Sequence, residues 1–448
     1  MKVTIIGAGS AVFWMSMMRD LCLMESAPGT TISLVDINKE RLDAVHDLGK
    51  RYAKEVGVDV TFEKGEDRRT ALKNSDFVLN TALVGGHDYT EKVRKIGEKY
   101  GYYRGIDHRH VRFIGGYDQI KLALEIASDM EELCPEAWLL QIANPVYEIT
   151  TLLGRERKIK MAGFCDGFRS GYLQLLLALG LSPGEVDFQV AGFNHCIWLT
   201  KFFYKETGED AYPVIDKWAR TESESFWKDH NLGLWEETLS PASVDAYKHY
   251  GLYPVGDTGR EFLWKYYYDL DTLKRWFGPI GGTDSEIGNP LRLEDFQKNV
   301  DRLFRLSTDS KASLAAEIPP EKGLDQFSDF IDAIHLGREK RLVINVPNKG
   351  AISQFPDDVA VEVPVNLIDG KLNPEKIEPF SKKLLNFILL PRMLRMEWGL
   401  EAYLSGDRET LIEILVRDPR TKSETQARRA LEEILALPEH KNLADHYR

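Results

Sequence analysis

The first ten residues limit the possible folds of this chain more than any other segment. A short apolar run at residues 3–6 is followed by Gly7-Ala8-Gly9-Ser10 and then by a helix-like pattern over residues 11–23. A strand, a glycine turn and a helix in this order bring backbone N–H groups and the positive end of a helix dipole to one point, where a pyrophosphate can bind. The segment therefore predicts a Rossmann-type unit in which Gly7, Gly9, Ser10 and Ala11 contact a dinucleotide.

An acidic residue at the end of the second strand-like run supports this interpretation. Residues 31–35 are mostly apolar and end directly before Asp36. A carboxylate at this point of a Rossmann unit accepts a hydrogen bond from the ribose 2′-OH of adenosine, and it would repel a 2′-phosphate. Asp36 therefore favours NAD over NADP. The third glycine of the usual fingerprint is replaced by Val12, so we expect looser packing between the first helix and the first strand.

Strand-like and helix-like segments alternate through the first 180 residues. Apolar runs at residues 58–63, 77–81 and 138–142 predict strands, and residues 38–52 and 120–133 have helical periodicity. Such alternation is typical of an α/β fold with a doubly wound parallel sheet. The nucleotide of such a fold lies at the carboxyl ends of the strands.

The pattern changes after about residue 180. Strands are predicted at residues 186–191, 198–204, 342–347 and 359–365, a charged helix at 213–232, and mostly helix from 374 to 437. Because 448 residues exceed the size at which one core usually stops growing, we expect two domains. They are a Rossmann domain over residues 1–190 and a larger α/β or α+β domain over residues 191–448, for substrate, metal and oligomerisation.

Composition and charge exclude several classes of partner. The net charge is −12, and the basic residues are scattered, which argues against nucleic acid or an anionic membrane surface. No apolar stretch reaches the roughly 18 residues that a membrane-spanning helix requires. Four cysteines in so long a chain do not indicate a disulfide framework, and the N-terminal residues lack a signal-peptide pattern. We therefore expect a cytoplasmic protein that acts on a small molecule.

Two side chains suited to a transition metal lie at the ends of short apolar runs. They are Cys165, in Gly163-Phe164-Cys165-Asp166-Gly167, and His195, in Gly192-Phe193-Asn194-His195. A thiolate and an imidazole together bind divalent transition metals and leave coordination positions for water or substrate. A buried free cysteine and a histidine packed in the core would have the same spacing, so the residues alone leave both interpretations open.

Three further segments carry polar groups where a ligand could bind. Asn144-Pro145 follows the fifth predicted strand, at the edge where nicotinamide and substrate would meet, although Asn-Pro is also a common turn. The loop from Tyr247 to Arg260 places phenols, Asp257 and a guanidinium among glycines, which suits either a polar ligand or an aromatic corner of the core. The turn Asn345-Val-Pro-Asn348-Lys-Gly350 contacts a ligand or simply reverses the chain.

Together these segments resemble glycoside hydrolase family 4, the NAD- and metal-dependent glycosidases. The similarity runs over nearly the whole chain and also includes Gly406-Asp407-Arg408 and Asp418-Pro419-Arg420. Within the family, residues 97–107 and 250–258 resemble the α-glucuronidases most. The resemblance implies a Rossmann domain related to that of lactate and malate dehydrogenases, and a homodimer or homotetramer.

The resemblance also implies the cofactors and the residues that hold them. NAD and a divalent metal, typically Mn²⁺, are expected, with Cys165 and His195 as the metal ligands. Asn144 and Asn194 are expected to orient the sugar at C2 and C3, and Asn144 also borders the cofactor.

Acid, base and anion-binding residues are implied in the same way. Asp166 is the expected general acid, and either Asp257 or Tyr250 is the base that removes the C2 proton. An anionic group at C6 of the sugar is expected to bind Arg260, and also Arg104 and His108.

The implied reaction is hydrolysis of an α-glycoside, in the first place an α-glucuronide. It proceeds by oxidation at C3, deprotonation at C2, elimination of the aglycone, addition of water and re-reduction. Asp166 stands where hexose and hexuronide enzymes of the family usually have His and some 6-phospho-α-glucosidases have Asp. An α-galacturonide, an α-glucoside or α-galactoside, or a 6-phospho- or 6-sulfo-glycoside is therefore the alternative substrate. The third hypothesis is a net NAD-dependent dehydrogenase of a sugar or hydroxy acid.

Overall fold

A twelve-stranded sheet forms the centre of the structure, a computed structural model that describes residues 1–10, 14–102, 116–262 and 264–448. In chain order the strands are β1 (Lys2–Ile6), β2 (Thr30–Val35), β3 (Val60–Gly65), β4 (Phe77–Asn80), β5 (Trp138–Gln141), β6 (Lys160–Gly163), β7 (Val186–Phe193), β8 (Cys196–Tyr204), β9 (Tyr253–Val255), β10 (Lys340–Pro347), β11 (Ala360–Ile368) and β12 (Lys371–Pro374).

The first six strands form the parallel half of the sheet, in the order β3-β2-β1-β4-β5-β6. In the centre, Val3 of β1 lies opposite Ile32 of β2 on one side and Phe77 of β4 on the other. Residues 3–6 of β1 are all buried, as expected for a strand covered by helices on both faces. This strand order is that of the Rossmann fold, so the predicted fold class is confirmed.

The second half of the sheet is antiparallel and continues directly from the first. β10 pairs with β6 where Asn345 lies opposite Gly163, and the order continues as β11-β7-β8-β9, with β12 on β11. The sheet therefore connects the two predicted domains without interruption. The predicted division at residue 190 stays a prediction, and that position lies within β7.

Helices cover the sheet and form the C-terminal part of the chain. The α-helices among the described residues are α1 (Trp14–Cys22), α2 (Lys39–Val56), α3 (Arg68–Leu72), α4 (Gly86–Lys99), α5 (Tyr117–Leu133), α6 (Val146–Glu156), α7 (Gly167–Leu179), α8 (Tyr212–Lys217), α9 (Ser223–Asp229), α10 (Pro241–Tyr250), α11 (Leu270–Phe277), α12 (Gly288–Thr308), α13 (Leu314–Glu317), α14 (Phe327–Leu336), α15 (Lys382–Leu384), α16 (Leu390–Ser405), α17 (Arg408–Val416), α18 (Glu424–Leu435) and α19 (Lys441–His446). In the described ranges, none of them is long and apolar enough to cross a membrane.

Two local predictions differ from the structure, and one strand of the parallel half was not predicted. The helix predicted at residues 213–232 is divided into α8, a π-helical turn (Trp218–Glu222) and α9, which ends at Asp229. The C-terminal helices begin at Lys382 rather than near residue 374, because β12 occupies Lys371–Pro374. β6 was not predicted, since its four residues, Lys-Met-Ala-Gly, carry too little apolar pattern to be recognised alone.

Candidate active site

The glycine turn lies at the carboxyl end of β1, where the sequence predicts a dinucleotide. The N–H groups of Gly7 and Ala8 donate to the carbonyl of Val35, at distances of 2.9 and 3.1 Å. Gly7 has φ of 87°, and a Cβ there would collide with the backbone of Ala82, so only glycine fits. These residues fit a pyrophosphate-binding turn. Ala11, also predicted to contact the cofactor, lies outside the described residues.

Asp36 closes the other side of this turn. Its carboxylate accepts hydrogen bonds from the N–H groups of Gly9 (2.8 Å) and Asn38 (2.8 Å), which fix its position at the end of β2. A Cβ on Gly9 would lie 2.8 Å from Asp36 Oδ2, so the second glycine is required for this close approach. The arrangement suits recognition of a ribose beside the turn, as predicted for NAD.

Cys165, His195 and Asp257 form one cluster of possible metal ligands. One ligand atom from each lies within 4.8 Å of the other two, and His195 Nε2 is 3.4 Å from Asp257 Oδ2. A thiolate, an imidazole and a carboxylate are a donor set suited to a divalent transition metal. Asp257 was predicted as the C2 base, and its position adds the role of a third candidate ligand.

Each member of this cluster is placed by a different local structure. Cys165 follows β6, and His195 is the second residue of the two-residue turn between β7 and β8, with φ of 61°. Asp257 lies in a 3₁₀ turn, Gly256–Glu261, after β9. Thr258 fixes this turn to β8, because its Oγ1 accepts from the N–H of Ile197 (2.8 Å) and donates to a backbone carbonyl.

Glycines allow helix α7 to approach the Asp257 turn closely. A Cβ on Gly167 would lie 2.8 Å from Asp257 Oδ2, and one on Gly171 would collide with the backbone of Gly256. The N-terminus of α7 therefore lies directly against the cluster. Burial raises the pKa of the Cys165 thiol, and the neighbouring His195 opposes this shift.

The asparagines predicted to orient a sugar both lie at the site. Asn144 follows β5, at the same edge of the sheet as the glycine turn, and its buried Oδ1 has no hydrogen-bond partner. Asn194 is the first residue of the β7–β8 turn, and its Nδ2 donates to Glu362 Oε2 at 3.0 Å. A buried acceptor without a partner costs free energy, which a ligand hydroxyl could recover at Asn144.

Asp166 is accessible to solvent but surrounded by protein. It precedes the first turn of α7, and its side chain makes no capping hydrogen bond to that helix. Burial, and then the negative charge of Asp257, raise the pKa of the Asp166 carboxyl. A carboxyl group that keeps its proton to higher pH is suited to act as a general acid.

Arg260 lies at the site but is deeply buried. Its Nε donates to Asp284 Oδ2 (2.7 Å), and its Nη1 is 3.8 Å from Asp257 Oδ2. The two Nη atoms have no hydrogen-bond partner, and the ring of Trp235 lies against the guanidinium, 5.4 Å from Cζ. Binding of a C6 anion by Arg260 stays a prediction. Arg104 and His108, predicted to share this role, lie outside the described residues.

Tyr250, the alternative base, has a different set of neighbours. Its ring packs edge-on against Trp198, with centroids 5.9 Å apart, and also against His249. Burial, and then the charge of Asp245, raise the pKa of the Tyr250 phenol, which disfavours the phenolate that a base requires. Of the two candidates, Asp257 is the one that belongs to the cluster.

Two buried glutamates beside the site were not predicted. Glu362 of β11 lies opposite Asn345 of β10 and binds Asn194, and burial raises the pKa of its carboxyl to about 7. Glu237 lies 3.8 Å from Arg260 Nε, and burial raises the pKa of its carboxyl to about 7. Glu362 could have been noticed in the sequence, because it is the one charged residue in the otherwise apolar run at residues 359–365. Glu237 had no comparable signal.

We expect the metal-free protein to lose stability as the pH rises from about 4 to about 7, partly through Glu237. A glutamate in an unfolded chain has a pKa of about 4.3. The folded state raises this pKa to about 7, so it binds the proton more tightly, and the stability gained below the unfolded pKa is lost as the pH rises through the folded pKa. The stability advantage of Glu237→Gln over the parent should therefore be about 2 kcal/mol larger at pH 8 than at pH 5.5.

Urea unfolding with a chelator present, at both pH values, measures this difference. Glu378→Gln, at an exposed position, is the matched control and should behave as the parent does at both pH values. If Glu237→Gln and the parent differed in free energy of unfolding by the same amount at pH 5.5 and pH 8, the raised pKa of Glu237 would be contradicted.

Two family models match this chain and cover most of its length. The model described as family 4 glycosyl hydrolase matches residues 2–177, and the model of the C-terminal domain of that family matches residues 190–421. The first begins before the glycine turn and includes Cys165, and the second includes His195 and Asp257.

Curated proteins and solved structures agree with these matches. The chain is 26% identical to an α-galactosidase of Bacillus subtilis, over 94% of each chain. It is 27% identical to an α-galacturonidase of Thermoanaerobacterium saccharolyticum, over 97% of this chain and 94% of that protein. A 6-phospho-α-glucosidase from gut microorganisms, solved with NAD and Mn²⁺, is 18% identical and superposes with a TM-score of 0.78 over 98% of both chains.

Proposed function

Since this chain belongs to glycosyl hydrolase family 4, we propose that it hydrolyses α-glycosides of hexuronic acids, in the first place α-glucuronides, with NAD and a divalent metal such as Mn²⁺. The observation that carries the proposal is the cluster of Cys165, His195 and Asp257. Cys165 follows β6, Asn144 follows β5 and the glycine turn follows β1, so all three lie at the carboxyl edge of one parallel sheet. A dinucleotide at the turn would therefore extend towards the cluster.

The protein has groups suited to bind each of the two cofactors. Gly7, Gly9 and Asp36 fit the pyrophosphate and ribose of NAD, and the cluster offers sulfur, nitrogen and oxygen donors to a metal. When bound, NAD supplies a hydride acceptor for C3 of the sugar and the metal supplies a Lewis acid beside it, which allows the glycosidic bond to break by elimination and the sugar to be restored.

The remaining steps are assigned to side chains of this protein. Asn144 Oδ1 accepts a hydrogen bond from a sugar hydroxyl, and Asn194, held by Glu362, orients the neighbouring hydroxyl. Asp257 Oδ2 faces His195 in the cluster, and the second oxygen of this carboxylate, Oδ1, removes the proton at C2. Asp166 donates a proton to the departing oxygen. The raised pKa of the Asp166 carboxyl supports this assignment, because an acid must still hold its proton when substrate arrives.

A uronic acid as substrate is supported by the α-galacturonidases among the relatives and by a buried guanidinium, that of Arg260, beside the cluster. Guanidinium groups bind planar carboxylates through two parallel hydrogen bonds. The alternative is another group at C6, neutral or phosphorylated. It is supported by the α-galactosidases and 6-phospho-glucosidases among the relatives and by Asp166 in place of the histidine usual in hexuronide enzymes.

The proposal is tested by incubating the protein with NAD, Mn²⁺ and 4-nitrophenyl α-D-glucuronide in D₂O. We expect release of nitrophenol and deuterium at C2 of the product sugar, because the C2 proton exchanges with solvent during elimination. Accumulation of NADH without hydrolysis would indicate a net dehydrogenase instead. A panel of α-glucuronide, α-galacturonide, α-glucoside, α-galactoside, 6-phosphoglucoside and 6-sulfoglucoside then identifies the group at C6.

A further inference from the structure

Trp235 has an unusual backbone conformation close to the candidate active site. Its φ is 67°, in the left-handed region that bulky residues rarely adopt. Two hydrogen bonds hold it there. The Trp235 N–H donates to Thr283 Oγ1 (3.2 Å), and Gln174 Nε2 donates to the Trp235 carbonyl (3.0 Å). Gln174 belongs to α7, the helix whose first turn lies against the metal-ligand cluster. Strain that the surrounding structure maintains in this way is often found at functional sites.

One face of the Trp235 indole is occupied by a residue of the site. The guanidinium of Arg260 lies over the ring, and Arg260 is itself 1% exposed and fixed by Asp284. Arg260 Nη1 is 3.8 Å from Asp257 Oδ2, so a single guanidinium separates the indole from the cluster. Stacking on a cation keeps the ring in a fixed orientation.

The rest of the indole is open to solvent. Trp235 is 42% exposed, more than any other tryptophan whose side chain the structure describes. Asp257, further inside, has a side chain only 17% exposed, and His195 only 2%. The exposed fraction therefore increases from His195 to Asp257 and then to Trp235, which lies on the solvent side of the cluster.

We propose that Trp235 is the platform on which the leaving group of the substrate packs, a binding subsite for a second sugar ring. This inference rests on the proposed function. The sugar that reacts must lie at the cluster, and its leaving group must extend from there towards solvent, where Trp235 presents a flat apolar surface. An indole face attracts the partly positive C–H groups on one side of a pyranose ring, as it attracts cations.

The test compares two glycosides that share the reacting sugar and differ in the leaving group, a methyl α-glycoside and the corresponding disaccharide. In Trp235→Ala, KM for the disaccharide should rise about tenfold and KM for the methyl glycoside less than about twofold, as loss of one aromatic stacking contact predicts. Inhibition by the free reacting sugar, which has no leaving group, should be unchanged.

Two further variants separate the ring from the backbone strain. Trp235→Gly also removes the indole but tolerates positive φ, so it should show the same change in KM with a melting temperature at or above that of Trp235→Ala. Trp276, which stacks on Arg275 with Cζ 5.1 Å from the ring, is the matched control, and Trp276→Ala should leave the ratio of the two KM values unchanged.

The two proposals fail in different ways. Equal changes of KM for both glycosides in the Trp235 variants would overturn the leaving-group subsite and leave the proposed function intact. If the wild-type protein cleaves no glycoside of the panel, the proposed function fails, and the inference about Trp235 fails with it.

Discussion

Cys165→Ala is expected to lower kcat by about a thousandfold or more, equivalent to about 4 kcal/mol of transition-state stabilisation. The substitution removes the sulfur from a cluster whose other candidate ligands are His195 and Asp257. Two ligands hold a divalent cation far more weakly than three, and without the cation the charge that develops next to C3 is not stabilised. The loss should therefore appear in metal content and in kcat together.

Metal content after dialysis, measured by atomic emission, and NADH binding, measured by fluorescence, separate the two cofactor sites. We expect Cys165→Ala to lose metal and to keep its affinity for NADH, because the glycine turn follows a different strand. Cys134→Ala is the matched control, since Cys134 is also a free thiol but lies at the end of α5. A Cys165→Ala protein with full metal content and normal kcat would contradict the metal assignment.

The sequence predicts those site residues that come directly after a strand or a short apolar run. The glycine turn and Asp36 each follow a strand directly, and the parallel strand order then places them together. Cys165 and His195 were recognised for the same reason, because each ends a short apolar run. The roles of Tyr250 and Arg260 as base and anion-binding residue, the homodimer or homotetramer and the cytoplasmic location stay predictions.

Other features of the site depend on contacts between distant segments. Glu362 was therefore not predicted, and Asp257 was predicted as the C2 base but not as a third metal ligand. The carboxylate of Glu362 meets Asn194 only because β11 lies beside β7 in the sheet, although 168 residues separate the two in sequence. Asp257 joins the cluster because Gly167 and Gly171 permit close approach of α7. Neither contact leaves a periodic pattern in a single sequence, since both arise from the packing of the completed fold.

The strand order also explains why the nucleotide site and the cluster of metal ligands lie at the same edge of the sheet. β6, which Cys165 follows, is the last parallel strand. The antiparallel strands on either side of His195, and the strand that precedes Asp257, join the sheet through β10 and β11. The cluster therefore lies where the Rossmann half meets the second half. Residues from both halves are required to complete it.

Asp166→Asn is expected to lower kcat by about a hundredfold to ten-thousandfold on substrates with a sugar leaving group, the range typical for loss of a general acid. Asparagine has nearly the same shape as aspartic acid but cannot donate an acidic proton. Substrates with a 4-nitrophenyl leaving group should be affected far less, because nitrophenolate departs without protonation. The ratio of the two kcat values is therefore the measurement that identifies an acid.

Metal content and the leaving-group ratio distinguish this role from a structural one. Because Asp166 is adjacent to Cys165, a substitution that merely disturbed the cluster would lower metal content and slow both substrates by the same factor. Asp187→Asn, on β7, is the matched control and should leave both kcat values unchanged. If Asp166→Asn keeps its metal but slows both substrates equally, Asp166 is not the acid that protonates the leaving group, and the proton must come from another residue of the site.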